Sequence, residues 1–467
     1  MTPDEALNAI HSRPRGTERT LSRIRALMGR LENPQDRLRF LHVAGSNGKG
    51  SCAAMLASAL TAGGYRTGLF ISPYILEFRE RFQIDGQMIP QEEFAACAEK
   101  VLDRAAALDR EGVCCTEFEC CTALALCWFA EKGCEAVVLE AGLGGKNDAT
   151  NVIPCPAVSV IMALSLEHTA LLGNTLEEIA AEKAGIIKGG QAVLYPLQEP
   201  EAAAEIYARC ARVGAVLHSP SPHAVRILEM GRRGSRFEWE GEEYRIPLAG
   251  RHQVWNAVTA LEALRAVSGV LPVSRRDIRE GLGSVRFPVR FETVKENPAV
   301  VLDGAHNPQG AQVLAELLDA CPEKPRIGVI GMLADKDWRR TVGLLAARLD
   351  AVLAVPVPNP RPSVEPAELA AEALKFCRAE RFGGLEEALA RAAELAGQDG
   401  LVCCAGSLFL AAEARKFWKT EGERLREPFP KQRMKLRKEM GWHAGVFPGK
   451  FTAAGKRERA VPVRAVL

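Results

Sequence analysis

A glycine-rich segment with a single lysine follows an apolar run and opens a helical pattern; residues 42–51 read HVAGSNGKGS. Small residues there let backbone N–H groups approach an anion, and the N-terminus of the following helix adds positive potential. Lys49 supplies a mobile charge for the outer phosphates of a nucleotide, and Ser51 supplies a hydroxyl. The match to G-x-x-x-x-G-K-[ST] is imperfect, because Val43 stands at the first glycine position and Gly50 separates the lysine from the hydroxyl. A tight turn that binds nothing is the alternative interpretation.

Further candidates for chemistry stand where predicted strands end. Glu140 follows four apolar residues, Ala136 to Leu139, and a carboxylate at the carboxyl end of a parallel strand is a common ligand for Mg²⁺ beside phosphates. The glycines that follow do not complete a dinucleotide pattern, because Asn147 holds the third position. His168 also ends a strand-to-loop segment, although an isolated histidine is more often a structural hydrogen-bonding group. An ordinary surface role for Glu140 is the less favoured alternative.

A second group of polar side chains lies in the C-terminal half. The segment Asp303-Gly304-Ala305-His306-Asn307-Pro308 follows an apolar run and precedes a helical pattern. It therefore brings a carboxylate, an imidazole and an amide to the functional edge of a second sheet. Capping of the helix by Asn307, with Pro308 at its first position, explains part of the segment without any function. Lys183 taken alone is interpreted as a solvated helix residue.

The elements that must position these residues alternate between strand and helix along two stretches of a 467-residue chain. Alternation predicts parallel sheets covered by helices, and the length predicts more than one core. We therefore predict an α/β fold with a P-loop domain over residues 1–285 and a second, smaller Rossmann-like α/β domain over residues 286–427. Residues 428–467 hold ten Lys and Arg against two Glu, which predicts a basic, solvated tail.

Composition excludes several classes of protein. The net charge of +2 argues against a nucleic-acid binder, no apolar run reaches membrane-spanning length, and the N-terminus lacks the form of a secretion signal. We expect a cytoplasmic protein with small-molecule partners and no membrane contact. The fourteen cysteines include adjacent pairs but no C-x-x-C, so they are interpreted as buried thiols and not as metal ligands.

Taken together, the motifs resemble those of folylpolyglutamate synthase/dihydrofolate synthase, the folate branch of the Mur ligase superfamily. They occur in family order, and they are residues 42–51, Ser72-Pro73, Thr116 to Glu119, Glu140 to Asn151, His168-Thr169, residues 182–186, His252-Gln253 with Asn256, Asp303 to Pro308, residues 335–337 and Gly406-Ser407-Leu408. The resemblance implies a Mur ligase-like central domain followed by a C-terminal glutamate ligase domain. A lysine-glycine-serine order in the loop is itself discriminating, because cell-wall Mur ligases place the hydroxyl directly after the lysine.

The resemblance also implies the reaction. ATP would drive the addition of L-glutamate to a tetrahydrofolate, or to dihydropteroate, through an acyl phosphate. Phosphorylation replaces an oxide leaving group with a good one, and the step crowds anions together, so cations must be fixed along the phosphates. The family uses ATP and two Mg²⁺ ions for this purpose.

Roles for individual residues follow from the same resemblance. The ATP contacts would be Asn47, Gly48, Lys49, Gly50, Ser51, Asn256, Arg290 and Asp303. One Mg²⁺ would be held by Ser72 and Glu140, and the second by His168 and a carbamylated Lys183. The pterin side of the substrate would contact Thr116, Glu117, Phe118, Glu119, Asn147, Asp148 and Ala149. Catalysis would depend on Lys49, Lys183 and His306, with His306 and Ser407 near the incoming glutamate.

The chain departs from the family pattern at three positions. Tyr74 replaces the histidine usual after Ser-Pro, Glu167 replaces an aspartate, and Val289 replaces a glycine before Arg290. None of these changes removes a proposed ligand, but Tyr74 and Glu167 bear on substrate preference. Three alternatives stay open: a Mur-type amide ligase for another acid and amino acid, a nucleotide-binding module without catalysis, and a P-loop kinase or ATPase, which would not need Lys183. A monomer is expected.

Overall fold

Two largely parallel sheets and one antiparallel sheet organise the chain in the computed structural model, which describes residues 1–14, 20–359 and 361–418. The α/β fold class predicted from the sequence is therefore confirmed. The predicted basic tail, residues 428–467, lies outside the described residues. By their contacts the described residues belong to one unit, so the domain boundary at 285/286 stays a prediction.

Strands and helices alternate along most of the described chain. The strands are β1 Phe40–Ala44, β2 Thr67–Phe70, β3 Phe82–Ile84, β4 Gln87–Met88, β5 Ala136–Glu140, β6 Val158–Ile161, β7 Gln191–Leu194, β8 Val216–His218, β9 Val225–Gly231, β10 Gly234–Trp239, β11 Glu242–Ile246, β12 Glu292–Lys295, β13 Ala299–Leu302, β14 Arg326–Ile330, β15 Ala351–Ala354, β16 Arg378–Arg381 and β17 Leu401–Ala405. The helices are α1 Pro3–His11, α2 Ser22–Arg30, α3 Lys49–Ala62, α4 Gln91–Asp109, α5 Glu117–Glu131, α6 Thr169–Leu172, α7 Leu176–Lys183, α8 Pro200–Val213, α9 Arg251–Ala266, α10 Arg275–Ser284, α11 Pro308–Asp319, α12 Trp338–Ala346, α13 Pro366–Ala373, α14 Leu385–Ala396 and α15 Leu408–Phe417.

The first sheet has the order β4-β3-β2-β5-β1-β6-β7-β8, and its strands are parallel from β2 through β8. The central strands β1, β5 and β6 are buried along their whole length, as expected for apolar runs covered by helices on both faces. Val43 of β1 pairs in register with Glu140 of β5. The carboxylate of Glu140 is therefore delivered beside the point where β1 enters the glycine-rich turn.

The second sheet has the order β12-β13-β17-β14-β15-β16, with only β12 antiparallel to its neighbour. Its central strands β13, β14 and β17 are fully buried. Leu302 of β13 pairs with Cys404 of β17, so the loops that follow these two strands leave the sheet side by side. This arrangement brings Asp303 and Ser407 to the same edge.

A three-stranded antiparallel sheet, β11-β10-β9, stands apart from both parallel sheets. Alternation over residues 237–246 predicts a hairpin, and β10 and β11 do pair in antiparallel register. Alternation of apolar and polar residues identifies a pleated, half-buried strand, but it does not identify the sheet to which the strand belongs. Phe237 and Ile246 of this small sheet are fully buried and join the core around α3 and α9.

Small residues let the helix after the glycine-rich turn lie deep in the core. A Cβ on Gly281 of α10 would stand 2.5 Å from Cα of Ala59 in α3, so the two helices touch backbone to backbone.

All fourteen cysteines are free thiols, and most of them are buried, which confirms their interpretation as buried thiols. None of the described helices is long and apolar enough to cross a membrane.

Candidate active site

The glycine-rich turn joins β1 to α3 in a conformation that needs glycine. Gly48 has a φ of 83° and caps the helix, and a Cβ there would collide with Oδ1 of Asn256 on α9. A Cβ on Gly45 would stand 2.6 Å from the Cβ of Met162. The turn therefore lies tightly against its neighbours and presents backbone N–H groups at the N-terminus of a fourteen-residue helix, the local geometry that binds phosphate. Ser51 is buried in the first turn of that helix.

Two lysines converge on one carbonyl of this turn. Nζ of Lys49 donates to the carbonyls of Gly45 (2.8 Å) and Ser46 (3.1 Å). Nζ of Lys183, on α7, donates to the same Gly45 carbonyl (2.9 Å) and to Oε1 of Glu167 (2.8 Å). Lys183 is only 1 % exposed, and burial together with repulsion from Lys49 lowers its pKa to about 8. The solvated helix lysine expected from the sequence alone is thus a buried residue of the site.

Glu140 forms the opposite wall of the turn. Its Oε2 accepts a hydrogen bond from the backbone N–H of Ser72 (3.0 Å), and the hydroxyl of Ser72 accepts one from Nη1 of Arg81 (3.2 Å). Burial raises the pKa of Glu140, against the attraction of Lys49. Gly50 lies between Glu140 and Phe287, and a Cβ there would stand 2.5 Å from Cζ of Phe287. Glu140 and Ser72 therefore lie together, as the sequence predicts.

His168 lies on the exposed loop after β6, in a left-handed conformation with a φ of 47°. Its neighbour in sequence, Glu167, is the residue that contacts Lys183. No group of three or more His, Cys, Asp or Glu side chains in the described part of the chain is arranged to hold a metal ion. The predicted ligand set has only two such residues, Glu140 and His168, because its other members are a serine and a lysine.

Arg290 and Asp303 bring the second sheet to the same place. Both residues are partly buried, and attraction between them opposes the effect of burial on the pKa of each. The Asp303 carboxylate accepts hydrogen bonds from the backbone N–H groups of Phe291 and Ala305 (2.8 Å each). The field of Glu140 also acts on Arg290 and opposes the lowering of its pKa by burial. Arg290 therefore links the edges of both parallel sheets.

A cavity of about 490 Å³ opens beside Ser72. Its lining includes every residue predicted for the pterin side of the substrate, namely Thr116, Glu117, Phe118, Glu119, Asn147, Asp148 and Ala149. The ring of Phe118 lies against Gly142, where a Cβ would stand 2.6 Å from its Cζ. The structure thus brings these residues together in one cavity that reaches the Glu140–Ser72 pair.

Two of the carboxylates that line this cavity bind groups of the protein itself. Glu119 forms a capping box with Thr116 at the start of α5 and pairs with Nε of Arg23 (3.1 Å). Asp148 accepts hydrogen bonds from the backbone N–H groups of Leu143 (2.8 Å) and Thr150 (3.0 Å). Both therefore shape the cavity wall together with Thr116, which leaves Phe118 and Asn147 as better candidates for direct contact.

Sequence reasoning missed Arg81, which lines this cavity. Its guanidinium lies 5.3 Å from the ring centre of Tyr74 and 5.4 Å from that of Phe78, so two aromatic faces hold it beside Ser72. The residue stands in a short charged segment, Arg79-Glu80-Arg81, with no motif around it. Only the aromatic residues at 74 and 78 could have given a signal.

The residues predicted near the second substrate lie on the edge of the second sheet. Nδ1 of His306 is 2.8 Å from the Gly304 carbonyl, so the Nδ1–H tautomer donates there and leaves Nε2 as an acceptor. The hydroxyl of Ser407 accepts from the N–H of Phe409 (3.2 Å) and caps α15. Across the sheets, the side-chain amide of Asn47 donates to Oε1 of Gln309 (2.5 Å), a contact with no signal in the sequence.

Comparison with known proteins assigns both halves of the chain. Residues 43–264 match the Mur ligase middle domain, and residues 289–408 match the Mur ligase glutamate ligase domain. The arrangement of a glycine-rich turn on one parallel sheet and a second α/β sheet facing it is thus that of the Mur ligase class. The chain is 37% identical to folylpolyglutamate synthase of Lacticaseibacillus casei, over 89% of this chain and 98% of that protein.

Further relatives agree. The dihydrofolate synthase/folylpolyglutamate synthase of Bacillus subtilis is 35% identical over 88% of this chain and 98% of its own. The structure of Mycobacterium tuberculosis folylpolyglutamate synthase complexed with ADP and AMPPCP superposes with a TM-score of 0.81 at 30% identity, covering 91% of this chain and 98% of that one. The chain belongs to the folylpolyglutamate synthase/dihydrofolate synthase family, and the resemblance drawn from the motifs is confirmed.

Proposed function

We propose that this chain is an ATP-dependent ligase that joins L-glutamate to the carboxylate of a folate through an acyl phosphate. The observation that carries the proposal is the shared position of Ser72, which lines the cavity and whose backbone N–H donates to Glu140 beside the glycine-rich turn. A carboxylate held in the cavity and a phosphate held at the turn would meet at these two residues. The names of the relatives, and the ADP and AMPPCP bound by the M. tuberculosis enzyme, support folate and ATP as substrates.

The first step transfers the terminal phosphoryl group of ATP to the folate carboxylate. Backbone N–H groups of Gly48, Lys49 and Gly50 bind the phosphates, next to Asn47, and Lys49 turns its ammonium from the carbonyls of the turn toward them. A carboxylate oxygen forms the new P–O bond, and ADP leaves with the electrons of the bond that breaks. The ATP contacts from α9 and from the second sheet are Asn256, Arg290 and Asp303, and Ser51 contributes from the first turn of α3.

Two Mg²⁺ ions belong to this proposal. Glu140 and the Ser72 hydroxyl offer the hard oxygen donors that Mg²⁺ prefers, and they lie beside the turn. For the second ion, His168 is joined by Lys183, whose ammonium would repel a cation, whereas its carbamate supplies oxygen ligands. When bound, Mg²⁺ neutralises the charge that accumulates as the carboxylate approaches the phosphate.

Carbamylation of Lys183 needs a neutral amine, because the nitrogen lone pair attacks carbon dioxide and an N–H proton is then lost to solvent. Burial lowers the pKa of Lys183 from 10.5 to about 8, so a far larger fraction of the amine is neutral near pH 7 than for an exposed lysine. The position is thus chemically suited to the modification.

The second step takes place at the edge of the second sheet. The glutamate amine attacks the acyl phosphate carbonyl, a C–N bond forms, and phosphate leaves with the electrons of the C–O bond. Burial lowers the pKa of His306, so its ring is neutral and Nε2 accepts the amine proton. Ser407 stands on the adjoining loop. We assign residues 1–285 to ATP and folate binding and residues 286–427 to glutamate binding. The linker at 284–289 permits the second domain to close over the first. A cytoplasmic monomer stays a prediction.

The test is ATP- and glutamate-dependent mass gain measured side by side on dihydropteroate and on tetrahydrofolate. Addition of one glutamate residue to either acceptor, with ADP released only when all substrates are present, supports the proposal. Mass gain with another acid or amino acid alone would favour a different Mur-type ligase, and nucleotide binding without turnover would favour an inactive module.

A substitution tests the role of Lys49 in ligation. Lys49→Ala should abolish ligation and leave the fold intact, because it removes the cation next to the phosphates. Lys100→Ala is the matched control, since Lys100 is an exposed lysine that pairs with Glu131 on the surface (2.7 Å). Retained turnover in Lys49→Ala would contradict the assigned role.

A further inference from the structure

Arg81 forms no ion pair with any carboxylate of the described residues. Its Nη1 donates to the hydroxyl of Ser72 (3.2 Å), and its Nε has no acceptor in the part of the chain that the structure describes. The acids nearest in sequence are engaged elsewhere, because Glu77 pairs with Arg79 and the Glu80 carboxylate accepts hydrogen bonds from backbone N–H groups of the preceding turn. Since Arg81 lines the cavity, N–H groups of its guanidinium can reach a molecule bound there.

Two aromatic rings hold this guanidinium without using its donors. It lies over the rings of Tyr74 and Phe78, and these rings themselves pack edge to face with their centres 5.5 Å apart. A cation over a ring face is attracted by the negative charge of that face, and it keeps its N–H groups for other partners. The position of Arg81 is thus set before a ligand binds, which lowers the entropic cost of binding.

The charged groups of the cavity are distributed unequally. Among the described residues that line it, the cations are Arg23 and Arg81, and Arg23 is paired with Glu119 (3.1 Å). Glu117 and Asp148 contribute carboxyl oxygens to other parts of the wall. Carboxyl oxygens repel an anion, whereas an arginine without a carboxylate partner attracts it. A ligand with one acidic end should therefore bind with that end at Arg81.

The end of the cavity at Arg81 is also the end nearest the glycine-rich turn. Ser72 accepts a hydrogen bond from Arg81 through its hydroxyl, and it donates one to Glu140 through its backbone N–H (3.0 Å). One residue thus connects the guanidinium to the wall of the turn. The ring of Phe118 lines the same cavity and offers an aromatic face to the remainder of a ligand.

We propose that Arg81 binds the carboxylate of the folate that becomes phosphorylated, and so determines which end of the cavity the acid occupies. The proposal deepens the proposed ligase function and rests on it. The planar fork of the guanidinium suits bidentate binding of a carboxylate, and it holds that group beside Ser72. Its charge also offsets the repulsion between the carboxylate and the terminal phosphate of ATP. Arg81 stays protonated and takes part in no bond that forms or breaks.

The decisive comparison is calorimetric binding of dihydropteroate, which has a single carboxylate, against its carboxamide, which has nearly the same shape without the charge. Arg81→Gln keeps an amide donor and removes the cation. The Kd for dihydropteroate should rise about 10- to 100-fold, the loss expected for a charge-assisted hydrogen bond. The Kd for the carboxamide should change by less than about twofold, because that ligand has no charge to lose.

Arg30→Gln is the matched control, because Arg30 is a half-exposed arginine at the end of α2 that pairs with Glu111 on the surface (2.7 Å). Both Kd values should stay at the wild-type level in this variant. Arg81→Lys keeps the charge without the fork, so its Kd for dihydropteroate should rise by only about 2- to 10-fold. This variant also tests the proposal if Arg81→Gln does not fold, which melting temperatures would reveal.

Two results would overturn the proposal. One is a wild-type Kd for dihydropteroate in the folded Arg81 variants, and the other is an equal loss of affinity for the acid and the carboxamide, which would assign Arg81 to the cavity wall alone. Failure of the proposed function is a different result. A wild-type protein that ligates no glutamate to any folate would refute the ligase, whereas ligation by the wild type with unchanged acid binding in Arg81→Gln would refute only the role of Arg81.

Discussion

His42 gives a quantitative test of how the interior of the first sheet is built. The imidazole lies on β1 with no exposed surface, and its Nε2 is 2.8 Å from Oγ1 of Thr150. Burial first, and then repulsion from Lys188, lowers its pKa from 6.5 to about 3. The folded protein therefore keeps this ring neutral at pH values where the unfolded chain protonates it.

The lowered pKa of His42 makes the free energy of unfolding depend on pH. Between pH 6.5 and about 3 the unfolded state binds a proton at His42 that the folded state does not, so the free energy of unfolding falls as the pH falls. The slope is about 1.4 kcal/mol per pH unit, and near pH 4.5 the loss from this one ring reaches about 3 kcal/mol. His42→Gln keeps a group that can bond Thr150 but cannot titrate.

Urea unfolding of the wild type and His42→Gln at about pH 7 and about pH 4.5 measures the difference. The variant is destabilised at neutral pH by its imperfect fit, and its disadvantage should shrink by about 3 kcal/mol at the lower pH. Carboxylates that titrate in both proteins cancel in this comparison. His223→Gln, at an exposed histidine, controls for the substitution itself. An equal difference between wild type and variant at both pH values would refute the reasoning.

Two further substitutions test the site and the linker. Lys183→Arg keeps a positive charge but cannot form a carbamate, so kcat should fall by about 100-fold or more in the glutamate-incorporation assay, while calorimetric binding of ADP persists; full activity would exclude the carbamate. Val289→Gly relieves a left-handed conformation (φ 50°), worth about 1–2 kcal/mol, but removes a fully buried side chain worth about 2–3 kcal/mol and adds the entropy of glycine. Urea unfolding should therefore show a net loss of about 1–3 kcal/mol, and a stabilised variant would show that strain at Val289 dominates.

The central strands could be predicted because a short apolar run bounded by glycine or proline is typical of a strand buried on both faces. Strands at the edges of the sheets could not. β16 has the sequence Arg-Ala-Glu-Arg, and β12 has Glu-Thr-Val-Lys; neither is fully buried along its length. An edge strand needs only one hydrogen-bonded neighbour and can carry charges on either face, so it lacks the hydrophobic signal of a central strand. Burial, and not strand propensity, made the prediction possible.

The residues at strand ends could be predicted for a related reason. Carboxyl ends of parallel strands converge on one edge of a sheet, so Glu140 and Asp303 had to lie at such edges once β5 and β13 were identified. Arg81 could not be found in this way, because its guanidinium is held by two aromatic rings and not by the end of a parallel strand. Contacts of that kind depend on loop conformation, which a linear pattern does not encode.

The contact between Lys183 and Glu167 depends on whether Lys183 is an ammonium or a carbamate. As an ammonium, Lys183 neutralises Glu167 and satisfies the Gly45 carbonyl in the interior. As a carbamate it would carry a negative charge beside the same carboxylate, and two anions at this distance repel unless a cation stands between them. In the mechanism that we propose, the modification and the binding of Mg²⁺ would therefore stabilise each other. Glu167, which pairs with the ammonium in the unmodified protein, would then be one of the negative charges close to the metal ion.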